Sequence, residues 1–170
     1  FFCYANSNLR KDQQNDEVLQ FVRFWKRRTG KLPEELIFDS KLTTYANLDK
    51  LNRRGVQFIT LRRRGPQLVQ QLFARPRSAW RRITLEGVSR IYRTPRILDD
   101  RVTLDGYRGP IRQLAIADLG HEEPTLLLTN QLRRSAPKLI SRYARRMLIE
   151  NNIEDGVNFF HMDALSSAVA

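Results

Sequence analysis

Apolar positions recur along this chain first at helical spacing and later at strand spacing, and the change of period divides it. In residues 14–28, Val18, Leu19, Phe21, Val22 and Trp25 follow one another at steps that keep them together, with charged and polar residues opposite. That pattern predicts an amphipathic helix, ended by Thr29-Gly30. After Pro33, Leu36-Ile37-Phe38-Asp39 reads as a short buried strand finishing on a carboxylate. Residues 43–54 predict a second helix, with Leu48 and Leu51 inward and Gly55 as its stop. Residues 56–61 predict a second strand, broken by Arg62-Arg63-Arg64-Gly65-Pro66, and 67–74 a brief helix. Beyond Pro76 the segments shorten and alternate: 81–85, 90–93, 101–104, 111–117 and 125–129, with Asp105-Gly106 and Gly109-Pro110 as turns. A long helix is expected over 136–152, with Ser135 as a cap and Pro137 in the first turn, and a last helical segment over 157–168.

Helices alternating with strands, then a run of strands, then a helix imply an α/β fold: a mixed sheet flanked by helices, with an inserted antiparallel β subdomain. The expected divisions are 1–75 for the first helices and strands, about 77–120 for the β insertion, and 124–170 for a return strand and helices.

Composition narrows the picture. A chain of 170 residues with 41% hydrophobic content can bury one real core and is not disordered throughout. The single Cys3, with only His121 and His161 beside it, excludes a disulfide framework and a Cys/His zinc cluster, and points to the cytosol. No apolar run approaches the ~20 residues of a membrane span. The opening Phe-Phe-Cys-Tyr is too short for a signal peptide. The absence of an initial Met and the plain ending at Ser166–Ala170 suggest that both ends are cut.

The net charge of +12 is concentrated. Arginine accounts for 24 of the 30 basic residues, and 15 of these lie between Arg53 and Arg112 against four acids, Glu86, Asp99, Asp100 and Asp105. A guanidinium grips phosphate oxygens two at a time, so an arginine field of this density points to a polyanion, most simply nucleic acid.

Two carboxylates carry candidate chemistry. Asp39 closes an apolar strand, and ligands of open α/β sheets gather at that edge; Asp is also a favoured cap for a following helix or turn. Glu150 continues the stripe Leu139, Ile140, Tyr143, Met147 of the long helix, where a buried carboxylate needs a partner or a metal. The plain alternative is an exposed Arg146–Glu150 pair at i, i+4. Trp80, at the entrance to the β insertion, reads as a core tryptophan ahead of a base-stacking wedge.

Taken together these residues resemble the insertion-sequence DDE transposases, the group with a Tyr-(2)-Arg-(3)-Glu signature. The signature is matched by Tyr143-Ala144-Arg145-Arg146-Met147-Leu148-Ile149-Glu150, and the family's strand-end aspartate by Leu36-Ile37-Phe38-Asp39-Ser40-Lys41-Leu42-Thr43-Thr44-Tyr45. Phe58-Ile59-Thr60-Leu61-Arg62-Arg63-Arg64 and Leu127-Leu128-Thr129-Asn130 add to the likeness. Position 157, where some members carry a Lys, is Val157, and no residue before Asp39 matches the family's first aspartate.

The resemblance implies a partial ribonuclease-H-like catalytic domain that cleaves and transfers DNA strands. Asp39 and Glu150 would be catalytic metal ligands for Mg²⁺ or Mn²⁺, in a two-metal site completed by an aspartate upstream. Tyr143, Arg146, Lys41, Arg62, Arg63 and Arg64 would contact double-stranded DNA. The enzyme would work in the cytoplasm at the nucleoid, as a homodimer when full length, and these 170 residues alone would be inert. Two other readings stand beside this one. Asp39-Ser40-Lys41 mimics the acidic-x-Lys element of restriction-endonuclease-like nucleases. A catalytically dead, transposon-derived DNA-binding remnant, or a basic RNA-binding protein, would fit the missing aspartate.

Overall fold

Glu17–Thr29 forms the first helix, α1, because Val18, Leu19 and Val22 share one face and bury it. Lys26, Arg27 and Arg28 lie in its last turn, where cations suit the carbonyl end, and Gly30 ends it in the left-handed region at φ 73°. The computed structural model describes residues 4, 6, 10, 13–86, 93–119 and 124–146. Strand β1, Glu35–Phe38, follows, and a 3-10 turn, Ser40–Leu42, leads to helix α2, Tyr45–Arg53. The Thr44 hydroxyl caps α2 by accepting the Asn47 N–H. Strand β2, Gln57–Leu61, helix α3, Pro66–Phe73, and strands β3, Arg81–Arg82, β4, Arg96–Val102, β5, Ile111–Ala117, and β6, Thr125–Thr129, complete the sheet. A final described helix, α4, covers residues 136–146.

All six strands lie in one sheet, in the order β1-β2-β6-β5-β4-β3. β1 and β2 are parallel, joined through α2; every other neighbouring pair is antiparallel. The chain is therefore α/β with a mixed sheet, and its antiparallel strands extend the parallel pair because β6 zips directly onto β2, Ile59 opposite Thr129.

Adjacent strand residues point to opposite faces, which sorts the core into layers. Phe38, Phe58 and Leu128 pack with Val18, Leu19 and Val22 of α1 and Leu48 and Leu51 of α2. On the same face Leu98, Ala115 and Leu126 pack with Leu72 of α3, and the half-buried Trp80 lies against them. On the other face Ile59, Leu114 and Leu127 pack with Ala136, Leu139, Ile140 and Tyr143 at the start and inner side of α4. Covered on both sides, β5 buries all seven residues, which explains why Leu126-Leu127-Leu128 on the neighbouring β6 is apolar without alternation.

The described ends of the helices and of the first two strands fall where periodicity predicts them, to within three residues. The β block is shifted. The strand expected at 101–104 runs instead over Arg96–Val102, and Leu104 belongs to a turn closed by the Tyr107 N–H on its carbonyl. Arg96-Ile97-Leu98-Asp99-Asp100-Arg101-Val102 does not alternate. Its acids are matched across space, Asp99 by Arg112 and Arg81, Asp100 by Arg75, and no local pattern announces those partners. In the segment expected at 81–85, Arg81 and Arg82 pair with β4, and the Ile83 and Leu85 N–H groups carry the contact on to the Pro95 and Arg93 carbonyls. Residues 90–92, the end of the helix expected to reach 152, and the segment 157–168 lie outside the described residues. Among the described residues no helix is long and apolar enough to cross a membrane.

Candidate functional site

The carboxyl end of β1 brings together side chains that are far apart in sequence. Asp39 leaves the strand in extended conformation, and its Oδ1 accepts the Lys41 N–H at 2.9 Å and the Ser40 hydroxyl at 3.3 Å. The capping role open at the sequence level is thus filled by one oxygen. The other, Oδ2, faces Nη2 of Arg146 at 3.7 Å, and the Asp39 side chain is a third exposed. Arg146 is itself held: its Nη1 donates to the Tyr143 hydroxyl at 3.1 Å, and its guanidinium carbon stands 5.7 Å from the centre of that ring. Tyr143 is buried against the α4 face of the sheet. A rigid strand end and a packed helix thus place a carboxylate and a guanidinium side by side.

Two strand repeats back, on the same face, Glu35 gathers a second cluster. Its carboxylate accepts Gln131 Nε2 at 2.7 Å and Arg134 Nη1 at 3.0 Å, and it pairs with Arg142 of α4. Sequence reasoning missed these four residues. The available signal was a double step: Glu35 and Asp39 share a strand face, and Arg142 and Arg146 share a helix face.

The remaining predicted residues separate. Lys41 has an exposed side chain at the turn after Asp39. Arg63 is exposed and lines a cavity of about 280 Å³ with Ser40, Thr43, Thr44, Tyr45 and Leu61, at the carboxyl ends of β1 and β2. Arg62 is half-buried and donates to Gln113 Oε1, on the sheet face opposite α4. Arg64 reaches the Pro124 carbonyl at 3.4 Å. Glu150 lies outside the described residues.

The arginine field is partly spent inside the fold. Arg53 pairs with Asp49, Arg75 with Asp100, Arg81 and Arg112 with Asp99, and Arg96 with Asp118. Hydrogen bonds from Arg112 hold the Asp99 carboxyl below its usual range, against the opposing effect of burial, and those from Arg96 do the same for Asp118.

A hard divalent cation prefers oxygen donors, and Asp39 Oδ2 is of that kind. Among the described residues no group of three or more His, Cys, Asp or Glu stands together, so those residues supply one carboxylate of the expected set. Compared with models of protein families and with curated proteins, the sequence gives no match.

Proposed function

We propose that this chain is the part of a DDE-type DNA transposase that carries the second aspartate, Asp39, and the glutamate, Glu150, of a metal-binding triad. The first aspartate comes from outside these 170 residues, and the catalytic domain is ribonuclease-H-like. The observation that supports this reading most is the meeting of Asp39 with Arg146 and Tyr143, 104 to 107 positions further along the chain. A phosphodiester at a strand end needs a carboxylate to hold a cation and a fixed guanidinium for its non-bridging oxygens, and those two groups stand together here.

In this reading Asp39 and Glu150 would hold Mg²⁺ or Mn²⁺, and such an ion would supply positive charge for the phosphate oxygens and for activating a water or 3′-hydroxyl. Arg146, oriented by the Tyr143 hydroxyl, would meet the phosphate beside the scissile bond. Lys41 and Arg63 hold the flanking backbone without reading sequence. Ser40 and the Lys41 N–H keep Oδ1 of Asp39 occupied, which leaves Oδ2 directed toward the site.

The test is cleavage of double-stranded DNA by the full-length protein with Mg²⁺ or Mn²⁺. Asp39→Asn and Glu150→Gln are each expected to abolish it, and Arg146→Ala to lower it. Full activity in both carboxylate variants would end the proposal. Loss of all cleavage in Lys41→Ala with divalent metal binding retained would favour the nuclease reading instead.

A further inference from the structure

Helix α4 lies on the sheet through Leu139, Ile140 and Tyr143, and that contact is apolar. Apolar packing is non-directional and fixes the height of a helix along a strand only loosely. The Arg146–Asp39 approach is sensitive to that height: a slide by one residue, ~1.5 Å, is large against a separation of 3.7 Å. Directional contacts between α4, its leading loop and β1 are made at Glu35. Its side chain is 11% exposed, and it takes hydrogen bonds from Gln131 and Arg134 of the loop and pairs with Arg142 of the helix. Beyond it, at the β1 edge of the sheet, a cavity of about 510 Å³ is lined by Phe21, Trp25, Leu36, Glu35 and Arg142. Among the described residues, no apolar side chain of α4 lines that cavity, and Arg142 is its one residue there.

We propose that Glu35 is a positioning residue: by tying Arg142 and Arg134 to β1 it sets the height of α4, and so the meeting of Arg146 with Asp39. The inference rests on the function proposed above. A carboxylate with two guanidinium partners and an amide from one element and its lead-in loop can be satisfied in one register only. A shifted helix would leave Glu35 short of partners in a nearly buried place.

The test uses cleavage kinetics of the full-length protein with Mn²⁺, alongside thermal stability. Glu35→Ala is expected to lower kcat by about 10- to 100-fold with little change in KM. Arg142→Gln, at an exposed position, is expected to lower kcat in the same sense and stands in if Glu35→Ala does not fold. The reading that separates positioning from bulk stability is a double-mutant cycle. Glu35→Ala added to Arg146→Ala is expected to cost no further kcat while still lowering the melting temperature. Unchanged kcat in a folded Glu35→Ala or Arg142→Gln, or fully additive kcat losses in the cycle, overturns the proposal. Asp39→Asn run in parallel distinguishes the failures. If it abolishes cleavage while the Glu35 variants do not, only the positioning role falls; if it too is active, the functional reading falls with it.

Discussion

Replacing Arg112 by Met removes the guanidinium that joins the sheet to the loop ahead of α4. Arg112 lies on β5, its side chain 10% exposed, and grips Asp99 on β4 through two hydrogen bonds of 2.8 Å. Its Nη1 also donates to the carbonyls of Gln131 and Arg134. Breaking a buried charge pair by removing one partner costs roughly 3–5 kcal/mol. Two features select the lower end. Asp99 keeps Arg81 at 2.9 Å, and its own side chain is 21% exposed. The two carbonyls lie on a loop that borders an open cavity of about 680 Å³, where water can replace the lost donor. The expected loss is about 3 kcal/mol, or roughly 6–12 °C in Tm for a chain of this size. Arg81→Met removes a partner that is 58% exposed and is expected to cost under about 1 kcal/mol. Urea unfolding followed by circular dichroism at neutral pH measures both. The pH dependence has a definite sign. Arg112 depresses the folded-state pKa of Asp99, so this stabilisation is full above the unfolded value of ~3.9 and fades as pH falls through the folded one. The gap between the native protein and Arg112→Met is therefore expected to narrow below about pH 4. A loss in Arg112→Met no larger than that in Arg81→Met would refute the reasoning.

Further outcomes follow from the same geometry. Asp39→Asn keeps an oxygen for the Lys41 N–H, so its stability is expected to stay within about 1 kcal/mol of the native protein while metal-dependent cleavage is lost. Asn130→Ala leaves the N–H of the fully buried Phe58 without its 3.0 Å acceptor and frees the Val56 carbonyl, a loss of about 2 kcal/mol readable by denaturant unfolding. DNA affinity titrated against salt is expected to lose about one unit of log–log slope in Arg63→Ala. Arg62→Ala, whose guanidinium is engaged with Gln113, should leave that slope unchanged.

The elements were legible where one period dominates. Val18, Leu19 and Val22, then Leu48 and Leu51, announce helices because one face of each must be buried, and Gly30 announces a stop because a positive φ suits glycine best. Asp39 could be picked out from Leu36-Ile37-Phe38 because a carboxylate closing an apolar strand is unusual. Strand β4 was placed five residues too late, since its charges are tolerable only once Arg112, Arg81 and Arg75 arrive from elsewhere.

Local periodicity thus marked the described helices and the first two strands, because burying an apolar face is a local demand on spacing. Only the tertiary structure decided which charges meet. It spends Arg112, Arg96 and Arg62 on holding the fold, leaves Arg63 exposed at the sheet's carboxyl edge, and brings Arg146 to Asp39 with Glu35 behind them. An ion pair depends on the distance between side chains after the chain has closed on itself, and sequence spacing carries no measure of that distance.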